Sequence, residues 1–221
     1  MDPYCMATTD EDYDGTILVL GDSHSQQWLG GLEPIAEERD YRVISVTMGA
    51  CKFGAPSEQR RADCNEFNST ALNYAKKLKP DAVIVVGTDS HPTERNDTVV
   101  DGLAEAANEL GTSGIPVIAM RDNPRFDFNM ISCVEKFGAA SDNCRFPLDQ
   151  KLADAESIAQ QFSTMENVTL IDMTDLICPD GLCEPIIGNV RVYMDHNHLG
   201  STYVESMKDE LDRRLSDALG W

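Results

Sequence analysis

The chain has 221 residues and carries 38 Asp and Glu against 18 Lys and Arg, a formal net charge of −20. A chain this acidic repels phosphate backbones and anionic lipid headgroups, which argues against a nucleic-acid partner and against binding to a membrane surface. Hydrophobic residues make up 42 %, enough for the packed interior of one globular domain. No apolar run approaches the ~20 residues of a membrane span.

Short β-rich apolar runs alternate with amphipathic segments. The pattern predicts strands at 16–20, 42–48, 82–86, 116–120 and 168–172, and helices at 25–39, 65–78, 97–110, 151–162 and 200–219. Strands separated by helices imply right-handed crossovers. We therefore expect an α/β fold, a three-layer α/β/α sandwich with a five-stranded parallel sheet of flavodoxin-like order. The acidic, aperiodic residues 1–14 are expected to be a linker, followed by one domain at 15–221.

Six of the seven cysteines form close couples. The sequence cannot choose among the possible connectivities, but pairing within each couple is the simplest scheme, because each one brackets a short polar, Gly- or Pro-containing loop. That scheme gives the bridges Cys51–Cys64, Cys133–Cys144 and Cys178–Cys183 and leaves Cys5 over. Disulfides need an oxidising compartment, and the alternative is reduced thiols in a cytosolic protein. Since no export signal opens the chain, we expect it to be a piece of a longer protein or a processed form.

Ligands of open parallel sheets bind beyond the carboxyl ends of the strands, which here selects residues 21–25, 49–51, 87–91 and 121–125. The four histidines lie in these loops or in the late segment 195–198. Ser23 follows the first strand directly, and its hydroxyl needs a base to become a nucleophile. The candidate bases are His91, His196 and His198, and Asp195 could orient one of them.

Other interpretations of these residues remain open at this point. Ser23 could simply cap a helix, with Asp22 in the turn. A two-metal phosphoesterase could use a set of carboxylates and imidazoles, namely Asp22, His24, Asp89, His91 and His198. A glycan-binding or scaffolding domain without catalysis is a further alternative.

Several stretches together resemble the SGNH (GDSL-like) hydrolase family. More narrowly, they resemble the C-terminal SGNH domain of acyltransferase-3 type enzymes that O-acylate surface polysaccharides. The matching stretches are LVLGDSHSQQW at 18–28, the turn at 49–51 with Cys64, KPDAV at 79–83, MRDNP at 120–124, VYMDHNHL at 192–199 and the three cysteine couples. The combination of these stretches is specific for this family, whereas the GDSH motif alone is not.

The resemblance implies that Ser23 is the nucleophile, His198 the base and Asp195 its orienting acid. The family's Asp-x-x-His spacing favours His198 over His196. It also implies an oxyanion hole built from the N–H of Ser23, the N–H of Gly49 and an asparagine side chain. Asp89 stands at that third position, and an ionised aspartate cannot donate a hydrogen bond. Either Asp89 is protonated, or another group donates, or the hole has two donors.

The function implied is serine-dependent transfer of an O-acyl group, acetyl above all, to a carbohydrate hydroxyl through an acyl-serine. A membrane acyltransferase-3 module, fused or separate, would supply the acyl group, and a glycan would accept it. We expect an extracytoplasmic, monomeric domain that is tethered to the membrane through a segment absent from this chain. No metal, cofactor or nucleic acid is expected. The alternative is a stand-alone carbohydrate or lipid esterase with the same triad.

Overall fold

The computed structural model describes residues 4–7 and 13–221, and of Tyr4 only the backbone. The strands are β1 (Tyr4–Ala7), β2 (Gly15–Gly21), β3 (Tyr41–Thr47), β4 (Ala82–Val86), β5 (Thr88–Ser90), β6 (Asp97–Val99), β7 (Val117–Met120), β8 (Phe146–Pro147), β9 (Val168–Ile171), β10 (Leu182–Cys183), β11 (Ile186–Ile187) and β12 (Val190–Arg191). The α-helices are α1 (Ser23–Gln26), α2 (Leu29–Glu38), α3 (Ala62–Leu78), α4 (Leu103–Gly111), α5 (Met130–Phe137), α6 (Ala155–Phe162), α7 (Thr174–Ile177), α8 (Ser201–Ser206) and α9 (Lys208–Leu219).

The central sheet has the strand order β1-β3-β2-β4-β7-β9. The five strands from β3 to β9 pair in parallel, which confirms the predicted α/β sandwich and its strand order. β4 is buried along its whole length, as expected for an apolar strand covered on both faces. The carboxyl ends of these strands lie at one edge of the sheet, where the selected loops follow.

Alternate residues of each strand enter two separate cores. Ile17 and Val19 face one core, covered by α2, α8 and α9, whereas Leu18 and Leu20 face the other, covered by α3, α4 and α6. This period-two alternation follows from strand geometry, in which successive side chains point to opposite faces. The two cores fix the three-layer arrangement.

The first residues differ from the prediction of a linker. Tyr4–Ala7 forms β1, which pairs antiparallel with β3 and adds a sixth strand at the sheet edge. Four residues without an alternating hydrophobic pattern are too weak a signal to predict a strand from sequence. The strand is stabilised instead by its pairing with β3 at the edge of the sheet. The rest of the predicted linker up to residue 12 lies outside the described residues, and the domain boundary at 14/15 stays a prediction.

The predicted helix at 97–110 is wrong in its first part. Asp97–Val99 forms β6, a hairpin partner of β5, and α4 begins only at Leu103 after Gly102, whose φ is +71°. The buried carboxylate of Asp97 accepts two hydrogen bonds from Arg121, both 3.0 Å long, and this pairing overrides the helical spacing.

Two other predicted helices are each divided in the structure. The segment 25–39 is divided between α1 and α2, and the segment 200–219 between α8 and α9. Lys151 was predicted to open a helix, but α6 starts at Ala155, where the Asp154 side chain caps it by accepting the N–H of Ser157.

Three disulfides hold the irregular stretches. They are Cys51–Cys64, Cys133–Cys144 and Cys178–Cys183, the predicted pairing, and Cys5 is an exposed free thiol. Closing loops of 13, 11 and 5 residues stabilises the fold by roughly 2–3 kcal/mol each on the loop-entropy model. Among the described residues, no helix is both long and apolar enough to cross a bilayer.

Candidate active site

Ser23 lies at the sharp turn between β2 and α1. Gly21 ends the strand with φ +124°, and a Cβ there would come within 2.6 Å of Ser25 Oγ. That hydroxyl accepts the buried N–H of Val86 at 2.9 Å, tying the turn to β4. Asp22 caps α1 by accepting the N–H of His24, so Ser23 is the first helical residue and its own N–H has no intrahelical partner.

His198 and Asp195 come from the late loop and meet Ser23 across the edge of the sheet. His198 Nε2 is 2.8 Å from Ser23 Oγ, and His198 Nδ1 is 2.7 Å from Asp195 Oδ2. The other oxygen of Asp195 accepts the N–H groups of Asn197 and His198, both at 2.8 Å. Burial acts to raise the pKa of Asp195, but these N–H groups and the imidazole outweigh it and lower the pKa.

The two histidines of this loop point in different directions. His198 contacts Ser23, whereas the His196 side chain is exposed and its carbonyl accepts the N–H of Phe126 at 2.8 Å. The loop turns back on itself through an antiparallel bridge between Tyr193 and Leu199, and of its two histidines the one within hydrogen-bond distance of Ser23 is His198. The geometry therefore agrees with the Asp-x-x-His spacing, and the catalytic role of His198 stays a prediction.

Gln27 and Asn123 hold the late loop in place, and the sequence analysis did not single them out. Gln27 Nε2 donates to Asn123 Oδ1 at 2.8 Å, and Gln27 Oε1 accepts the N–H of Leu199 at 2.9 Å. Asn123 Nδ2 donates to the carbonyl of Asn197 at 2.7 Å. The position of Gln27, a polar residue one helical turn after Ser23, was the sequence signal that could have placed it next to the site.

A second histidine–aspartate pair lies behind the first. The buried His24 has its Nδ1 2.7 Å from Asp122 Oδ1, and its ring centroid is 4.8 Å from that of His198. Asp122 is fully buried, and its Oδ2 also forms ion pairs with Lys52 Nζ at 3.3 Å and with Arg125 Nη2 at 2.8 Å. Burial alone would raise the pKa of Asp122, but Lys52, His24 and Arg125 hold it well below its usual range.

The two predicted oxyanion residues differ in their surroundings. Gly49 is half-buried in the turn after β3. Asp89 lies in β5 with its side chain 54 % exposed, and its Oδ1 is 3.5 Å from both Lys52 Nζ and Arg125 Nη2. A carboxylate accepts hydrogen bonds and donates none. The oxyanion roles of both residues stay predictions.

The residues of the metal interpretation are not gathered into one ligand set. His24 is turned towards Asp122, and His91 is exposed with its Nδ1 3.2 Å from Thr93 Oγ1. In the described part of the chain, no group of three or more His, Cys, Asp or Glu side chains is arranged to hold a metal ion.

Arg121, which follows β7, serves the fold rather than the site. It is buried, and besides Asp97 it donates to Asp172 at 2.9 Å and to the carbonyl of Ala153 at 2.6 Å. Burial would lower its pKa, yet Asp97 and Asp172 together raise it. The pairing joins the β5–β6 hairpin to β7 and β9, and so fixes the wall that carries Asp89.

Comparisons with known proteins place the chain in a family. The sequence model of a family described as "SGNH domain (fused to AT3 domains)" matches residues 2–213. No curated protein sequence matches the chain. The solved periplasmic domain of a lipopolysaccharide acetyltransferase from Salmonella ser. Paratyphi A has a similar fold, with a TM-score of 0.68 at 15 % identity over 93 % of this chain and 85 % of that one. The chain therefore belongs to the family of SGNH domains that are fused to AT3 domains, and it is an enzyme of the acyltransferase or esterase type.

Proposed function

We propose that the chain transfers an O-acyl group, acetyl in the first instance, to a carbohydrate hydroxyl through an acyl-serine at Ser23. The observation that carries the proposal is the continuous hydrogen-bonded series from Asp195 through His198 to Ser23, with links of 2.7 and 2.8 Å. A serine hydroxyl becomes a competent nucleophile when an oriented imidazole can take its proton.

The reaction has two half-steps. His198 Nε2 takes the proton of Ser23 as Oγ forms a bond to the acyl carbon, and the carbonyl electron pair moves onto oxygen. When the tetrahedral intermediate collapses, the donor's leaving group departs with that proton and the acyl-serine remains. His198 then takes the proton of the acceptor hydroxyl as its oxygen bonds to the acyl carbon. When the second tetrahedral intermediate collapses, the bond to Ser23 Oγ breaks and His198 returns that proton to Oγ. Asp195 stabilises the imidazolium in both half-steps.

The proposed oxyanion donors are the backbone N–H groups of Ser23 and Gly49. Asp89 is a substrate-binding residue in this scheme rather than an oxyanion donor. Lacking one donor typically costs about 10²–10³ in rate. We therefore expect slow turnover by the isolated chain.

The family and the structural neighbour of this domain favour transfer over simple hydrolysis. Its family is described as fused to AT3 domains, and its structural neighbour is a lipopolysaccharide acetyltransferase domain. A membrane AT3 module, fused or separate, is the proposed acyl donor, and a glycan is the proposed acceptor. Three disulfides support an extracytoplasmic location, and tethering to the membrane is part of the same proposal.

The triad assignment is tested with p-nitrophenyl acetate and with labelling by a serine-directed phosphonate. Ser23→Ala and His198→Ala should each abolish ester turnover, and Ser23→Ala should also abolish the mass increase on labelling. His196→Ala is the matched control from the same loop and should stay near wild type. An inactive His196→Ala beside an active His198→Ala would show that the base is wrongly assigned.

Transfer and hydrolysis are separated by the fate of the acyl-serine. Adding a glycan acceptor should yield acetylated glycan at the expense of free acetate. Fast ester cleavage that no acceptor diverts would instead identify a stand-alone esterase.

A further inference from the structure

A cavity of about 440 Å³ opens next to the turn that carries the proposed nucleophile, although Ser23 itself does not line it. Asp22 and Ala50, the chain neighbours of Ser23 and Gly49, line it together with Lys52, Asp89 and Arg125. A second cavity of about 420 Å³ shares Asp89 and Arg125 with the first. Each volume lies in the range of small-ligand pockets. The pair Asp89 and Arg125 thus lies where the two cavities meet, and the name acceptor cleft is used here for both cavities together.

The charges in the larger cavity are balanced, although the chain as a whole is not. Acidic residues outnumber basic ones 38 to 18 over the sequence. The charged residues that line the cavity are three acids and three bases, namely Asp22, Asp89, Asp101, Lys52, Arg60 and Arg125. The second cavity adds Glu94, so the acceptor cleft as a whole has four Asp and Glu side chains against three Lys and Arg. Charges this nearly balanced give neither an anionic nor a cationic ligand a large electrostatic advantage.

The polar groups of the cleft are held in fixed positions, with Lys52 also donating to the carbonyl of Thr88 at 3.2 Å, and both cations lie farther from Asp89 than from Asp122. Asp122 anchors Lys52 and Arg125 from below, at 3.3 and 2.8 Å. Asp89 faces both cations from the exposed side at 3.5 Å, the outer limit of a hydrogen bond. A hydroxyl group both accepts and donates, so it can take a hydrogen bond from a cation and give one to the carboxylate. A carboxylate ligand would be attracted by Lys52 and Arg125 but repelled by Asp89, and an ammonium ligand would meet the reverse, whereas a hydroxyl group satisfies both kinds of partner.

We propose that the acceptor cleft binds a neutral polyhydroxylated sugar, with Asp89 accepting from one of its hydroxyl groups and Lys52 and Arg125 donating to it. The inference rests on the proposed function, since it names the acceptor class for the same serine. It adds that glycans whose reacting residue is a uronate or a free amino sugar are poor acceptors.

Binding is measured on the full chain with Ser23→Ala, which separates it from the chemistry. The probes are methyl glycosides in matched sets that differ at one group: the neutral hexoside, its uronide and its 2-amino form, in the gluco, galacto and manno series. Nuclear magnetic resonance titration should show one neutral hexoside binding at millimolar concentration and perturbing cleft resonances. Its uronide and amino analogues should bind about tenfold more weakly, the effect of losing one charge-assisted hydrogen bond.

The exposed position of Asp89 allows substitutions that leave the fold intact. Asp89→Ala should weaken the neutral hexoside about tenfold. Asp89→Lys should reverse the preference towards the uronide, and Arg213→Ala, at an exposed site on α9, is the matched control without effect. Tighter binding of a uronide by the unsubstituted cleft, binding that ignores Asp89, or no binding by any probe would each overturn the inference. If Ser23→Ala binds the neutral hexoside as expected but the wild-type chain fails to cleave p-nitrophenyl acetate, the result would count against the proposed function alone.

Discussion

Replacing Asp195 by asparagine tests the proposed proton path with little change of shape. One oxygen of Asp195 accepts two backbone N–H groups at 2.8 Å, so the carbonyl oxygen of the asparagine keeps that position. Its amide nitrogen then faces His198 Nδ1, where a carboxylate oxygen now lies at 2.7 Å. A donor at that position stabilises the neutral imidazole with its proton on Nε2 and its lone pair on Nδ1.

That tautomer cannot serve as the base. Nε2 is the atom 2.8 Å from Ser23 Oγ, and a nitrogen that already carries a proton cannot take another from the hydroxyl. We therefore expect Asp195→Asn to lower kcat by about 10⁴, which corresponds to about 5 kcal/mol of transition-state stabilisation. The thermal midpoint should stay close to wild type, because both backbone N–H groups keep an acceptor.

Steady-state turnover of p-nitrophenyl acetate and thermal melts followed by circular dichroism measure the two expectations. Asp195→Ala is the comparison, since it also removes the acceptor of the two N–H groups. It should lose both activity and about 1–2 kcal/mol of stability. Turnover of Asp195→Asn within tenfold of wild type would refute the tautomer argument, and with it the orienting role of Asp195.

Three further expectations follow from other parts of the molecule. Arg121→Met leaves the buried Asp97 without its cation and should cost about 3–5 kcal/mol in urea denaturation, whereas the exposed Arg213→Met should leave stability unchanged. Equal stability of the two variants would contradict the role given to Arg121. The pKa of Asp122 is lower in the folded chain than in the unfolded one, so its contribution to stability is present above about pH 4 and is lost as the pH falls towards the folded value. Denaturation series should show a shallower acid loss for Asp122→Asn, and an unchanged slope would mean that other carboxylates dominate. Thiol titration in denaturant should find only Cys5 before reduction and seven thiols after it, and reduction should lower the thermal midpoint.

The local hydrophobic pattern was sufficient to predict the five parallel strands of the central sheet, because each strand is a short apolar run bounded by polar or turn-forming residues. Ala82–Val86 is predicted and observed with the same bounds, since a run buried on both faces has nothing to gain from any other conformation. The cysteine couples were similarly informative, because a disulfide that closes a short loop depends on residues that are close together in the sequence. The edge strand Tyr4–Ala7 and the hairpin strand Asp97–Val99 escaped prediction, since partners far away in sequence stabilise each of them.

The residue types at the site were readable from the sequence, but the contacts that hold them in position were not. Ser23 was recognisable from its place after the first strand, and Asp195 and His198 from their spacing and from the family resemblance. Their chemical roles are still predictions, and so are those of Gly49 and Asp89. Gln27, Asn123 and Asp122 act by holding other groups, and such a role depends on contacts that no local pattern encodes.

The sequence by itself determined the alternation of strands and helices, the disulfide couples and the kinds of side chain available at the strand ends. The family's spacing favoured His198, but only the tertiary structure brings His198 within 2.8 Å of Ser23, because 175 positions of the chain separate the two residues. It also decided that Asp89 faces two cations, since the β5–β6 hairpin, the turn after β3 and the loop after β7 converge there. Hydrogen bonds and ion pairs act over a few ångströms of space, and the order of residues along the chain does not specify those distances.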